Sequence, residues 1–238
     1  GIIETVDRAL TLEPSRLALF GYAHVPWMKK HQKLIDEAAL PDSQERWAQY
    51  TAAREHLIGK GFVPVGLDHF TRNDDSMAVA LKSGKLRRNF QGYTTDTSDI
   101  LIGLGASAIG SLPQGYVQNA PHTNHYRDAI TQGRLATAKG IAVSDEDRLR
   151  RYVIERLMCD TTIDLGAACR KFNVGENYFA DEIERLDDMI ADGILTIEKT
   201  DASTVITLTP MGLPLVRTVG AIFDTYLESG IGRHAKAV

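Results

Sequence analysis

The sequence predicts an α/β chain in two parts: a parallel-sheet portion over about the first 135 residues, then a smaller α+β unit in winged-helix order. Three observations predict it. Compact apolar runs at 16–22, 62–67 and 99–104 have the length of buried strands and are separated by segments of helical spacing. From Ser144 onward helical spacing recurs in three successive segments. Two alternating runs, 194–198 and 204–208, then flank Thr200-Asp201-Ala202 and read as a hairpin, with a last helix after it.

Taken in order, residues 4–12 carry helical spacing, with Val6 and Leu10 on one face. No initiator Met or cap precedes them, so the chain is expected to open inside a helix, as a fragment does. Residues 16–22 (RLALFGY) form a strand after Pro14, and 23–26 the loop beyond it. A long amphipathic helix is expected over 43–60, with Ser43 as cap, Trp47, Tyr50, Ala53, Leu57 and Ile58 inward, and Gly61 as stop. Then come a strand at 62–67, a short helix at 74–83, a buried strand at 99–104 (DILIGL), a strand at 116–119, and a helix at 122–132 ending at Gly133. In parallel sheets, ligands bind beyond the carboxyl ends of the strands. The positions of interest are therefore Tyr22-Ala23-His24, Asp68-His69-Phe70 and Gly105-Ala106-Ser107.

The pattern changes near Gly140. Ser144 caps a helix with Asp147 at its third position, and this helix runs to about Cys159. Helices over 165–172 and 176–192 follow, the second stopped by Gly193. Thr209-Pro210 opens the last helix, to about Leu227, with Pro in its first turn. The tail from Ser229 is expected to fray.

Composition narrows the function classes. A 43% hydrophobic and 24% charged balance is that of a globular chain long enough for one large domain or two small ones. No apolar run approaches the ~20 residues of a membrane span, and no signal-peptide pattern is present. A net charge of -4 opposes broad binding to nucleic acid. The winged-helix order raises a DNA-binding alternative. Its reader helix would hold Glu176, Asp181, Glu182, Glu184, Asp187, Asp188 and Asp192 against Arg185, which repels phosphate. Cys159 and Cys169, flanked by apolar residues, are expected as buried free thiols. No His, Cys and acidic residues fall at metal-ligand spacing.

Several stretches have the residue types of a site. Asn89-Phe90-Gln91-Gly92-Tyr93-Thr94-Thr95 mixes two aromatics, an amide, a glycine and hydroxyls. Such a loop either stacks a flat ligand or closes on itself with Phe90 and Tyr93 plugging the core. Asp68 and His69 offer an acid–base pair or a hydrogen-bonded brace. His24 is a weaker site of the same kind. Gly103 to Gly110 (GLGASAIG) lacks dinucleotide spacing; its small residues either permit close backbone approach to a ligand, with Ile109 beside it, or serve tight strand–helix packing. Lys82, Lys85, Arg87 and Arg88 form a basic cluster, either a solvated face or a carboxylate-recognising one.

Together these stretches resemble oxygen-independent coproporphyrinogen III oxidases of the radical-SAM family. The resemblance rests on Tyr22 to Pro26 (YAHVP), Gly66 to Phe70 (GLDHF), Arg88 to Thr95 (RNFQGYTT), Ile102 to Gly110 (IGLGASAIG) and Phe223 to Leu227 (FDTYL), in that order. It covers essentially the whole chain and corresponds to the family's C-terminal half. It implies the C-terminal part of a partial (β/α) barrel over 1–138, a helical winged-helix-like domain over 139–228 and a flexible tail over 229–238. The activity implied is oxidative decarboxylation, without oxygen, of two propionates of coproporphyrinogen III to vinyls, giving protoporphyrinogen IX. A [4Fe–4S] cluster cleaves S-adenosylmethionine to the 5′-deoxyadenosyl radical that begins each step.

By position, the resemblance implies that Phe20 and its neighbours up to Ala23 lie against one S-adenosylmethionine, and that Phe90, Gln91 and Ile109 contact a second bound one. Arg87, Arg88 and His69 are the substrate-binding candidates, with the arginines meeting propionates. The family's cluster motif, CxxxCxxC, is absent from this sequence, so the cluster ligands lie outside the chain, and the chain alone is expected to be inactive and to expose apolar faces. A cytoplasmic protein, monomeric when complete, is implied, with an unidentified electron donor and no nucleic-acid or membrane partner. A relative that binds haem without making it is the alternative; the intact RNFQGYTT run favours the oxidase.

Overall fold

The computed structural model describes residues 1–200 and 203–227. Helix α1 (Ile2–Leu10) lies on α2 (Ser43–Gly59), and Val6 meets Ala53 and Leu57 in a small core that includes Phe62 and Phe70. Asp42, rather than Ser43, caps α2. Its carboxylate accepts the Glu45 N–H at 2.9 Å, and Glu45 accepts the Asp42 N–H at 3.2 Å. Ile58, expected inward, is 40% exposed. Being one residue past Leu57, it lies about 100° around the helix from the buried face.

Strands β1 (Arg16–Ala18), β2 (Phe62–Val65) and β3 (His69–Arg72) form a sheet in the order β1-β3-β2. Helix α3 (Ser76–Lys82) leads to a hairpin of β4 (Arg87–Asn89) and β5 (Gly92–Thr94). A third sheet holds β6 (Ile109–Leu112), β7 (Gly115–Asn119) and β8 (Thr137–Ala142), with α4 (Thr123–Thr131) between the last two. The α/β content is as expected, in sheets that are small and not closed.

The parallel pairing is not: every named strand pair among the described residues is antiparallel. For β2–β3 and β4–β5 the connections explain it. Gly66, Leu67 and Asp68 join β2 to β3, and Phe90 and Gln91 join β4 to β5. A parallel crossover needs a dozen or more residues. Asp68-His69-Phe70, expected just past a strand, is thus the entry into β3. Residues 99–104 do not form the buried strand expected of them. Leu101 alone bridges to Ser111, and Ile102 and Leu104 are 73% and 85% exposed. Strand β8 was not expected and spans residues 138 and 139, where the two domains were expected to meet.

Helix α5 (Asp145–Asp160) follows, with the Ser144–Asp147 capping box in place. Strand β9 (Thr162–Asp164) and helix α6 (Leu165–Lys171) come next. The single helix expected over 176–192 is two short ones, α7 (Ala180–Glu184) and α8 (Asp187–Ala191). Acidic residues three and four apart, such as Glu184 with Asp187 and Asp188, oppose an unbroken helix. Strands β10 (Leu195–Thr200) and β11 (Ser203–Leu208) make the expected hairpin, with β9 on its far edge. The last helix is only α9 (Val216–Ala221), after a 3-10 turn at Leu213–Leu215. Pro214 lacks the N–H a continuous helix needs. Asp201 and Ala202 of the hairpin turn, and the tail expected over 229–238, lie outside the described residues.

Leu149, Val153 and Leu157 of α5 pack with Phe179, Ile206 and Phe223 into the main core. Cys159, on the same helix, is fully buried both in this core and in a second cluster with Val65, Met77, Leu86 and Tyr93. Both cysteines are free and buried, as expected. No helix among the described residues is long and apolar enough to cross a membrane.

Candidate functional site

A cleft of about 470 Å³ opens between the β4–β5 hairpin, the 96–101 segment, the β6–β8 sheet, α5 and the segment after α9. Its hairpin wall is built on Tyr93. That ring is 6% exposed, and its hydroxyl accepts the Leu67 N–H at 3.2 Å and donates to the Met158 carbonyl at 3.1 Å. Burial pushes the Tyr93 hydroxyl up to about 12. Tyr50 donates to the Leu67 carbonyl at 2.9 Å, so this residue is held through both its N–H and its C=O. Tyr93 therefore plugs the core, whereas Phe90, the other aromatic of the loop, is 52% exposed and faces the cleft.

The two arginines of β4 have different surroundings. Arg87 Nε donates to Glu155 Oε1 at 3.0 Å, and the same oxygen accepts the Arg88 N–H at 3.1 Å. Glu155 thus ties the hairpin to α5 and neutralises Arg87. The Arg88 guanidinium lies 4.8 Å over the Tyr93 ring, and its Nη1 is buried with no hydrogen-bond partner among the described residues. A buried unpaired donor costs about 1–3 kcal/mol, more on a charged group. Its position on the cleft wall suits an acceptor brought by a ligand.

Nine in ten residues of this chain superimpose on a solved structure described as "Coproporphyrinogen III oxidase (HemN) from Escherichia coli is a Radical SAM enzyme", with a TM-score of 0.86 and 35% identity over 94% of this chain and 51% of that one. Over 99% of its length the chain is 47% identical to an oxygen-independent coproporphyrinogen III oxidase of Bradyrhizobium diazoefficiens, covering 52% of that protein. It is 38% identical to the namesake of Thermostichus vulcanus and covers 70% of it. The chain belongs to the oxygen-independent coproporphyrinogen III oxidase family. It spans about half the length of most of the curated relatives it matches. A scan against protein-family models finds no match.

The residues singled out from the family's motifs fall into two groups. Arg87, Arg88 and Phe90 line the cleft. Phe20, Ala23, His69, Gln91 and Ile109 do not. Phe20, at 69% exposure, meets the edge of His69 with ring centroids 6.5 Å apart. His69 in turn lies edge-on to Tyr93 at 5.3 Å and against Gly92, so the segment just after β1, through Phe20, and the RNFQGYTT turn converge on it. Its Nδ1 is 2.6 Å from Asp68 Oδ1, a brace that fixes the ring. Ala23 is exposed and its carbonyl accepts from Gln32 Nε2 at 3.1 Å. Gln91 is exposed at the hairpin turn, and Ile109 pairs with Gln118 across β6–β7.

The sequence did not point to Tyr116, Arg150, Arg151, Ile154 or Glu155 as cleft residues. Arg150 and Arg151 look in sequence like the solvated side of α5, and only the packing of the hairpin and of Phe223 to Tyr226 against that helix puts them on a cleft wall, Arg150 partly buried and Arg151 exposed. The FDTYL run was a usable signal, since Phe223, Asp224, Thr225 and Tyr226 all line the cleft.

The residues present do not fit an iron–sulfur cluster. Cys159 is fully buried and its thiol is pushed up to about 12, chiefly by that burial. Cys169 is buried too. Thiolates, not thiols, hold such clusters. An S-adenosylmethionine site is a better fit: Phe20 and Phe90 are exposed aromatic side chains, and Gly92 lets the backbone turn beside His69 at a φ of 131°.

Proposed function

We propose that the protein, completed by a half that carries the [4Fe–4S] cluster, converts coproporphyrinogen III to protoporphyrinogen IX without oxygen. When held at that cluster, S-adenosylmethionine would supply the radical chemistry that removes a hydrogen atom from each reacting propionate. Each propionate then loses carbon dioxide and an electron to become a vinyl. Phe20 and Ala23 are assigned to this cofactor, Phe90, Gln91 and Ile109 to a second S-adenosylmethionine, and His69 to bracing the turn beside them. The cleft is assigned to the tetrapyrrole, with residues 1–138 and 139–228 contributing a wall each.

One observation carries this reading: the buried, partnerless Arg88 Nη1 on the wall of a cleft whose aromatic side is Phe90 and Tyr116. A flat ligand with peripheral carboxylates satisfies both. The exposed Phe20, Ile102 and Leu104 fit cover by the cluster half. The complete protein is proposed as cytoplasmic and monomeric, taking electrons from a separate donor, with no nucleic-acid or membrane partner.

The test is anaerobic turnover of coproporphyrinogen III by the chain joined to a cluster-bearing half, read as protoporphyrin fluorescence after oxidation. The expected result is turnover by the joined protein and none by the 238-residue chain alone, which after iron and sulfide reconstitution shows no cluster absorbance. Haem binding with no turnover overturns the assignment in favour of a haem-handling relative. In the joined protein Arg88→Leu raises KM for coproporphyrinogen about tenfold or more, one charged hydrogen bond's worth; an unchanged KM removes Arg88 from the substrate site.

A further inference from the structure

The cleft is lined by Arg87, Arg88, Arg150 and Arg151, and only two of these have their charge neutralised. Arg87 is held by Glu155 at 3.0 Å. Arg150 is held by Glu182 at 2.7 Å and Glu146 at 2.9 Å. Arg88 has the buried partnerless Nη1 described above. Arg151 is exposed, its guanidinium lies 5.6 Å over the Tyr116 ring, and no carboxylate among the described residues pairs with it.

The acids of the cleft are engaged elsewhere. Asp96 accepts the Ser98 N–H at 2.9 Å, and Asp147 accepts from the Ser144 N–H and hydroxyl, both at 2.8 Å. Asp224 accepts the Tyr226 N–H at 2.9 Å, and Asp99 faces Arg87 at 3.9 Å.

We propose that Arg151 is a second carboxylate anchor of the cleft and binds a propionate of the tetrapyrrole that survives the reaction. The inference rests on the porphyrinogen reading above. An arginine lying on an aromatic face keeps its N–H edge free for an in-plane acceptor, and that edge matches both oxygens of a carboxylate. The reacting propionates must approach the cofactor. Of the residues assigned to either S-adenosylmethionine only Phe90 lines the cleft. Among the described residues no hydrogen bond or ring contact joins Arg151 to it directly: both pack on Tyr116, Phe90 edge to face at 5.2 Å and the Arg151 guanidinium at 5.6 Å over the ring. Arg151 therefore serves the side of the ligand away from the chemistry. Two propionates leave the reaction unchanged, and two unneutralised arginines line the cleft.

The test is a fluorescence titration of the chain joined to a cluster-bearing half with three probes: coproporphyrin III, its tetramethyl ester, and protoporphyrin IX, which carries only the surviving propionates. Arg151→Leu is expected to raise Kd for coproporphyrin III and for protoporphyrin IX alike, by about ten- to a hundredfold. Arg151→Lys should recover part of the loss, and the ester should bind weakly to every variant. If both acids bind Arg151→Leu as tightly as wild type while the ester stays weak, the cleft remains a carboxylate site and the role of Arg151 is overturned. A loss confined to coproporphyrin III places Arg151 on a reacting propionate and overturns the assignment. An ester that binds as tightly as the acid, or wild type that binds no porphyrin, overturns the porphyrinogen reading and this inference with it.

Discussion

Gly66→Ala is expected to cost at least about 3 kcal/mol, a large part of the ~5–15 kcal/mol by which domains are stable. Gly66 turns the chain between β2 and β3 with a φ of 60°. A Cβ there would lie 1.9 Å from Cζ of Tyr93 and 2.0 Å from its hydroxyl oxygen. The ring has nowhere to go. Its hydroxyl is bonded to Leu67 and Met158, Arg88 covers a face at 4.8 Å, and His69 meets it at 5.3 Å. Left-handed backbone costs an alanine about 1–2 kcal/mol, and overpacking a tight core about 1–3 more. Displacing the hydroxyl would add an unpaired buried N–H. Gly84→Ala is the control, because Gly84 has a φ of 64° but nothing within 4 Å of the added methyl. Urea midpoints followed by circular dichroism compare the two. Equal losses would show that the Tyr93 ring is free to move, and the cleft wall it supports would then be no rigid platform for Arg88.

That small turn also shows how far the sequence could be read. The helix over 43–59, the capped α5 and the β10–β11 hairpin were legible because their signals are local: caps, period and turn residues. The sense of strand pairing was misread. Apolar runs alternating with helices suggested parallel strands, yet the connections between β2 and β3 and between β4 and β5 are too short for any crossover, a constraint already present in the spacing. Residues 99–104 look in sequence like a buried strand because Ile100, Ile102 and Leu104 are apolar, but burial is a property of neighbours, and these three are exposed here. For the site, the loop 89–95 was legible as a loop of unusual chemistry, but not which ring would plug and which would face out. That depends on Gly66 and Met158, distant in sequence. Arg151 was invisible for the same reason: nothing local separates a helix arginine facing solvent from one facing a cleft.

Stability is expected to fall steeply above about pH 9, through two groups on this same seam. Burial pushes the Tyr93 hydroxyl and the Cys159 thiol each up to about 12 in the folded chain. In the unfolded chain they titrate near about 10 and 8.5. Both folded values lie above the unfolded ones, so the unfolded chain gives up protons that the folded chain keeps. Their contribution is complete below about pH 8.5 and is lost progressively as pH rises towards 12. At ~1.4 kcal/mol per unit, the loss by pH 11 is on the order of 5 kcal/mol. Tyr50, also raised by burial and bonded to Leu67, steepens the same decline. Urea midpoints at half-unit steps from pH 8 to 11 measure it. Tyr93→Phe should start lower, by about 1–3 kcal/mol for the unpaired Leu67 N–H, and then decline less above pH 10. Cys159→Ala should flatten the limb between pH 9 and 10, where the thiol begins to differ from its unfolded value. A midpoint that stays level to pH 11 would mean that water reaches the seam between the β4–β5 hairpin and α5. The hairpin would then be loose against the helix, and the unpaired Nη1 of Arg88 would be solvated rather than held ready for a carboxylate.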